Sequence, residues 1–350
     1  MGFRKNKSMK HKIMKGVAVL GAIGLLCFGL AILMMGMLTV PIGEVQTPVR
    51  ITITKGESLR RVAEMLYENK LIRSAPIFTM YAFLRGDASR ILPGSYEITG
   101  NNTFFEILSK ITKGPEAFRV TLREGMTIRE VDAYLGEQGI IVPGSLFSYK
   151  PDKHLEERLL EYGFSSDKRF KHLEGFLFPD TYEFVREEGA ESVVLKMVDN
   201  FEDKVGLALK VFTREERYKK MIIASLIEKE VANDYERRVV SGIIERRLKV
   251  DMPLQVDASI LYGTCVEYGD CDRILHKKDF VLSSPFNTYT NRGLPPRPIA
   301  NFGMAALRAA LSPEKTSYWY YLSTSDGKTF FSKTFKEHDD LRAKYLFFAD

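Results

Sequence analysis

The segment Lys55–Leu66, KGESLRRVAEML, returns as Glu124–Leu135, EGMTIREVDAYL, at a constant offset of 69 residues. Gly56 pairs with Gly125, Ser58 with Thr127, Leu59 with Ile128, Arg60 with Arg129, Val62 with Val131 and Leu66 with Leu135. The match continues through Leu71-Ile72 against Ile140-Ile141 and Ile77-Phe78 against Leu146-Phe147. In each copy a short strand ends in a glycine turn, Ser58 or Thr127 stands where a helix N-cap belongs, and apolar residues then recur at helical spacing. The repeat therefore predicts two strand–turn–helix units and an α+β fold class.

Such units resemble LysM modules, a resemblance that implies binding of N-acetylglucosamine-containing glycans. The alternative is that the two units only pack on each other, since neither core motif shows an aromatic platform. Between the copies, Leu92-Pro-Gly-Ser-Tyr-Glu-Ile reads as a turn into a strand. Asn102 or Thr103 starts a helix from Phe104 that stops at Lys113-Gly-Pro. These elements predict a LysM-like α+β subdomain over residues 48–145.

The net charge of +6 invites a nucleic-acid reading, which its distribution excludes. Arg4, Lys5, Lys7, Lys10, Lys12 and Lys15 carry the whole excess, with no acid among them. Val17 to Gly43 then contains no charged residue. A membrane span needs about 20 apolar residues and a cleaved signal core only about 7–15, so a retained anchor is expected. The expected layout is a basic cytoplasmic tail over 1–15 and a single transmembrane helix over 16–42. Basic residues before the span and Glu44 after it place the remainder outside the inner membrane. Leu26 before Cys27 is too large for a lipoprotein cleavage box. Cys265 and Cys271 lie in a Gly/Asp-rich segment where an oxidising compartment permits a disulfide. Zinc competes for them, but no paired Cys-x-x-Cys spacing supports a metal.

In Met221–Glu230, Ile222, Ile223, Leu226 and Ile227 make an apolar stripe that Glu228 follows without a break. One residue is about 100° of helical rotation, so Glu228 stands at the margin of the buried face. A carboxyl sheltered there loses solvation, and its pKa rises toward the range of a general acid. The other reading is a surface Glu at the end of a core helix. Glu230 falls on a different side and reads as structural. Asn233-Asp234 reads as a cap for a helix over Tyr235–Leu248. Gln255 and Asp257 share a face if Met252–Asp257 is extended. Ser284–Ile299 is a long loop of hydrogen-bonding residues, Ala305–Leu311 a helix, and Tyr318–Leu322 with Lys328–Ser332 a hairpin. Earlier, the aromatics of Leu173–Phe184 suit either a pocket wall or a packed turn, and Ala190–Gly206 reads as a helix.

Five motifs occur in order: Glu174-Gly-Phe-Leu-Phe-Pro-Asp-Thr-Tyr, Ala224-Ser-Leu-Ile-Glu-Lys-Glu, Leu254-Gln-Val-Asp, Pro285-Phe-Asn-Thr-Tyr and Gly293-Leu-Pro-Pro-Arg-Pro-Ile. Together they resemble the YceG-like family, the MltG endolytic murein transglycosylases. The resemblance implies a mixed α/β catalytic domain over 146–350 and an inner-membrane protein that cleaves nascent peptidoglycan strands internally. It implies no cofactor, and peptidoglycan synthases as candidate partners. The family's catalytic Glu falls on Glu228. Gln255, Asp257, Asn287 and Tyr289 are expected to orient sugar hydroxyls or the N-acetyl group, and Asp257 could supply a second carboxylate. Two departures occur near the end. A Gly-Gly-His-x-Phe pattern reads Asp326-Gly-Lys-Thr-Phe, and a Glu-His-Asn reads Glu337-His338-Asp339. The competing function is a non-catalytic glycan-binding scaffold for cell-wall synthases.

Overall fold

Both copies of the repeat fold as strand, glycine turn and capped helix in the computed structural model. The structure describes residues 17, 20–26, 28–29, 32, 35–36, 39–42, 47–164, 172–271, 274–324 and 326–345. The basic tail expected over 1–15, and much of the expected membrane span, lie outside the described residues. Residues 20–26 are helical. Among the described residues no helix is long and apolar enough to cross a membrane.

The chain divides into two units, residues 1–117 and 118–350. The division falls inside the span 48–145 expected for the first domain, and core packing explains the shift. Val62 and Leu66 of the first copy belong to one hydrophobic cluster. Val131 and Leu135 of the second belong to another, shared with Met221, Ile223 and Ile227. The second copy is therefore part of the C-terminal unit.

In the N-terminal unit, β1 (Val49–Ile53) pairs antiparallel with β2 (Gly94–Ile98), Val49 opposite Ile98. Ile51, Ile53, Tyr96 and Ile98 point to one face, as period-two alternation requires. They pack with α1 (Leu59–Glu68), α2 (Ala75–Leu84) and α3 (Phe104–Lys113). Ser58 caps α1, accepting from the Arg61 amide, and Thr103 with Glu106 forms a capping box on α3.

The C-terminal unit opens with the same arrangement: β3 (Ala117–Thr121), α4 (Ile128–Glu137), α5 (Lys153–Leu160), β4 (Thr181–Val185) and α6 (Ala190–Phe201). The duplication extends beyond the stretch visible in the sequence. Thr52 and Ser95 bond across the first strand pair at 2.9 Å, and Thr121 and Thr181 across the second at 2.8 Å. Tyr96 donates to the Leu92 carbonyl at 2.6 Å, and Tyr182 to the Phe178 carbonyl at 2.5 Å. Lys110 Nζ donates to the Glu97 carbonyl at 2.7 Å, and Lys196 Nζ to the Glu183 carbonyl at 2.9 Å. The module is thus strand, helix, helix, strand, helix in both units. Leu92–Ile98, the turn into a strand read from the sequence, is the counterpart of Phe178–Phe184. Phe176, Phe178, Tyr182 and Phe184 are buried, so that stretch packs as core and strand and does not line a pocket.

The rest of the unit is mainly helical: α7 (Arg214–Glu230), α8 (Asp234–Lys249), α9 (Asp257–Tyr268) and α10 (Met304–Leu311). A hairpin of β5 (Tyr320–Ser323) and β6 (Thr329–Ser332) and a last helix, α11 (Phe335–Tyr345), complete it. The described strands form only two-stranded sheets, so the unit is α+β with helices dominant. Thr213 and Glu216 make a capping box on α7, and the Asn233 side chain caps α8 as expected. Cys265 and Cys271 are joined in a disulfide.

Candidate active site

Every residue from Met221 to Ile227 of α7 is buried, because α7 packs on both α10 and α8. The apolar stripe read from the sequence is thus a fully enclosed helix segment. Glu228 emerges from it with its side chain only 4 % accessible. Two donors hold the carboxyl. Arg237 Nη2 of α8 donates to Oε1 at 2.7 Å, and the Gly303 amide donates to Oε2 at 2.8 Å. Gly303 is the N-cap of α10, so the positive end of that helix dipole also faces Glu228. Burial raises the pKa of Glu228. The Gly303 amide and Arg237 oppose that rise, and the charge of Glu124 adds to it. The balance favours the neutral acid more than in water.

Residues 299–303 are the element that sets this geometry. Ser225 Oγ of α7 accepts from the Ile299 amide at 3.1 Å and donates to the Ile222 carbonyl at 2.7 Å, which holds the segment on the helix. The Asn301 side chain accepts from the amides of Gly175 and Leu177 and donates to the Met126 carbonyl. Its backbone pairs with the turn of the second repeat copy: Gly125 N–H to the Asn301 carbonyl at 2.8 Å, and Asn301 N–H to the Met126 carbonyl at 3.0 Å. Beside it, the buried Glu174 accepts from the Ile128 amide and from the Tyr262 hydroxyl, which in turn accepts from Arg297 Nε. Burial pushes the Glu174 carboxyl up to about 7.

The other expected site residues are not all brought to Glu228. Asp257 begins α9, and its Oδ1 accepts from the Tyr289 hydroxyl at 2.5 Å. Their acidic neighbour is Glu230. Burial and the charge of Asp257 push the Glu230 carboxyl up to about 7, against the Tyr321 hydroxyl and the Ala258 amide. Glu230 is therefore part of a second acidic cluster and more than an inert end of the helix. Gln255 and Asp257 do not share a strand face. Residues 252–256 form no strand, and Gln255 sits at φ +53° with its amide on the Thr288 carbonyl. Asn287 is fully buried. Its Nδ2 donates to the carbonyls of Phe280 and Leu282 and its Oδ1 accepts from the Tyr289 amide. That side chain braces the loop and has no polar atom left for a sugar.

Sequence reasoning did not single out Arg237, Asn301 or Gly303. Arg237 follows Glu228 by nine residues across a helix–helix turn, and only the docking of α8 on α7 brings it back. Asn301 lies just past the proline-rich motif, where an Asn reads as an ordinary loop residue.

A sheltered carboxyl gripped by a guanidinium and a helix N-terminus, on an α+β scaffold built partly from a duplicated module, defines a carboxyl-centred site. The chain belongs to the YceG-like family, whose model matches residues 51–344. It is 32% identical to the endolytic murein transglycosylase of Bacillus subtilis over 86% of each chain. It is 23% identical to that of Streptococcus pneumoniae strain R6, of which it spans 58%. A crystal structure of a YceG-like protein from Listeria monocytogenes superposes with a TM-score of 0.55 at 29% identity, over 84% of this chain and 99% of that one.

Proposed function

We propose that the protein is an endolytic lytic transglycosylase of peptidoglycan, with Glu228 as its single general acid and base. The observation that carries this reading is a carboxyl enclosed between Arg237 and the Gly303 amide, where burial raises its pKa. Its relatives, named endolytic murein transglycosylases, support the substrate class. Neutral Glu228 gives its proton to the oxygen linking MurNAc to GlcNAc, and the C1–O bond breaks. The C6 hydroxyl of the same MurNAc then attacks C1, and its proton returns to the Glu228 carboxylate. The product carries a 1,6-anhydro end and the enzyme is regenerated. Because the nucleophile is intramolecular, no positioned water and no second carboxylate is required, unlike in hydrolysis. Arg237 stabilises the carboxylate between the two transfers. Asp257 and Tyr289, and Gln255 on the neighbouring loop, would orient the sugar, with Asn287 holding the loop behind them.

Within this reading the uncharged stretch Val17–Gly43 is a single-pass anchor with the basic tail in the cytoplasm, the remainder faces peptidoglycan, and synthases are the partners that supply nascent strands. The test is digestion of purified glycan strands by the full-length protein in detergent, read by mass spectrometry. Anhydro ends are expected, and reducing ends would instead make it a muramidase. One observation favours glycan binding without cleavage: a groove of about 840 Å³ in the N-terminal unit, lined by Tyr67, Met80, Phe83, Arg60 and Arg73 among others. Under that scaffold reading, Glu228→Gln would leave function in cells intact.

A further inference from the structure

The turn that opens the second repeat copy lies beside Glu228. A Cβ placed on Gly125 would lie 3.8 Å from Cγ of Glu228 and 3.8 Å from Cδ of Lys229. Lys229 Nζ in turn donates to the Gly125 carbonyl at 3.3 Å. The preceding residue, Glu124, rests against Gly303. A Cβ on Gly303 would overlap Oε1 and Cδ of Glu124. Gly303 is also the residue whose amide holds Oε2 of Glu228. One glycine thus stands between two carboxyl groups, and the missing side chain makes room for the second. Backbone conformation does not require glycine there, since φ is −88° and any residue adopts that value. Nor does the turn require an acid: the equivalent position in the first copy is Lys55.

We propose that Glu124 is a positioning residue of the reaction, whose carboxyl seated against Gly303 adds to burial in holding Glu228 in the form that donates a proton to the glycosidic oxygen. The inference rests on the reading of Glu228 as general acid. The charged groups that face Glu228 are Arg237 from α8, the N-terminus of α10 at Gly303, and Glu124 from the turn before α4. Lys229, on the same helix, is tied to the turn carbonyl. Burial is the main cause that raises the Glu228 pKa; the Gly303 amide and Arg237 favour the carboxylate, and the charge of Glu124 adds to burial in opposing them. Like charges at close range disfavour joint ionisation.

The test is the pH profile of kcat/KM for the full-length protein in detergent on purified glycan strands. Wild type is compared with Glu124→Gln, Glu124→Asp and Gly303→Ala, each checked for folding by circular dichroism. Activity falls at high pH as Glu228 loses its proton. Glu124→Gln should move that limb down by about one pH unit. Gly303→Ala, which pushes the Glu124 carboxyl aside and keeps the amide, should move it the same way. Glu124→Asp keeps the charge and should restore the limb toward wild type. An unmoved limb in both folded Glu124→Gln and Gly303→Ala overturns the proposal. Glu228→Gln, assayed alongside, separates the two claims. If it still cleaves, the general-acid reading fails. If it is dead while the Glu124→Gln limb stays in place, only the role of Glu124 fails.

Discussion

Arg237 Nη2 and Glu228 Oε1 lie 2.7 Å apart, with side chains only 9 % and 4 % accessible. A buried contact of this kind couples stability to the protonation of Glu228. Arg237→Met leaves Glu228 without its counter-charge and the Val231 carbonyl without a donor. Loss of one partner of a buried pair costs about 3–5 kcal/mol. Glu228 can escape part of that cost by taking up a proton. The loss measured by urea denaturation should therefore be about 3 kcal/mol at pH 8 and clearly smaller at pH 5. The high-pH limb of activity should move upward, opposite to Glu124→Gln, because the charge removed is the one that favours the carboxylate.

Asn301 ties three segments together. Asn301→Ala removes the acceptor for two buried amides, Gly175 and Leu177, and a donor to the Met126 carbonyl. Each buried group left unmatched costs about 1–3 kcal/mol. The variant should lose about 3 kcal/mol or more in denaturant melts. Cleavage should also weaken at temperatures where it remains folded, since the Gly303 amide no longer sits where Glu228 needs it. A stable variant with full activity would remove Asn301 from the account.

Glu174 sets a pH dependence of stability that is separate from catalysis. Its folded-state pKa is about 7 against an ordinary 4.5, so the fold favours its protonated form. The stability it contributes is fully present below about pH 4.5 and is lost as pH rises through about 7. At 1.36 kcal/mol per unit the loss is about 3 kcal/mol. Glu230, also at about 7, adds a second loss in the same window and the same direction. Glu174→Gln should therefore flatten, without abolishing, the fall in melting temperature between pH 5 and pH 8.

The local features of this fold were legible because they depend on neighbouring residues. Ser58, Thr127 and Asn233 cap the helices their positions foretell, and Glu228 stands at the edge of its apolar stripe. The duplication was only half visible. The second half of the module shifts from an offset of 69 to 86 residues, as Tyr96 to Tyr182 shows, and intervening chain hides the match. Gln255 misled for another reason: a single residue at φ +53° turns an apparent strand into a bend. Asn287 misled because the side chains that bind sugars are also those that brace loops. Glu124, Arg237 and Gly303 reach Glu228 through tertiary packing, for which a lone sequence carries no periodic signal.

The most direct test of the central claim is Glu228→Gln in the full-length protein on purified glycan strands, with products counted by mass spectrometry. Gln keeps the shape of the side chain but turns an NH2 group toward one of the two donors, Arg237 or the Gly303 amide, so the melt should fall and the assay is run below the variant's own melting temperature. The account predicts a folded protein that releases no anhydro-ended fragments above the no-enzyme control. Fragments released at a rate within a few-fold of wild type would contradict it.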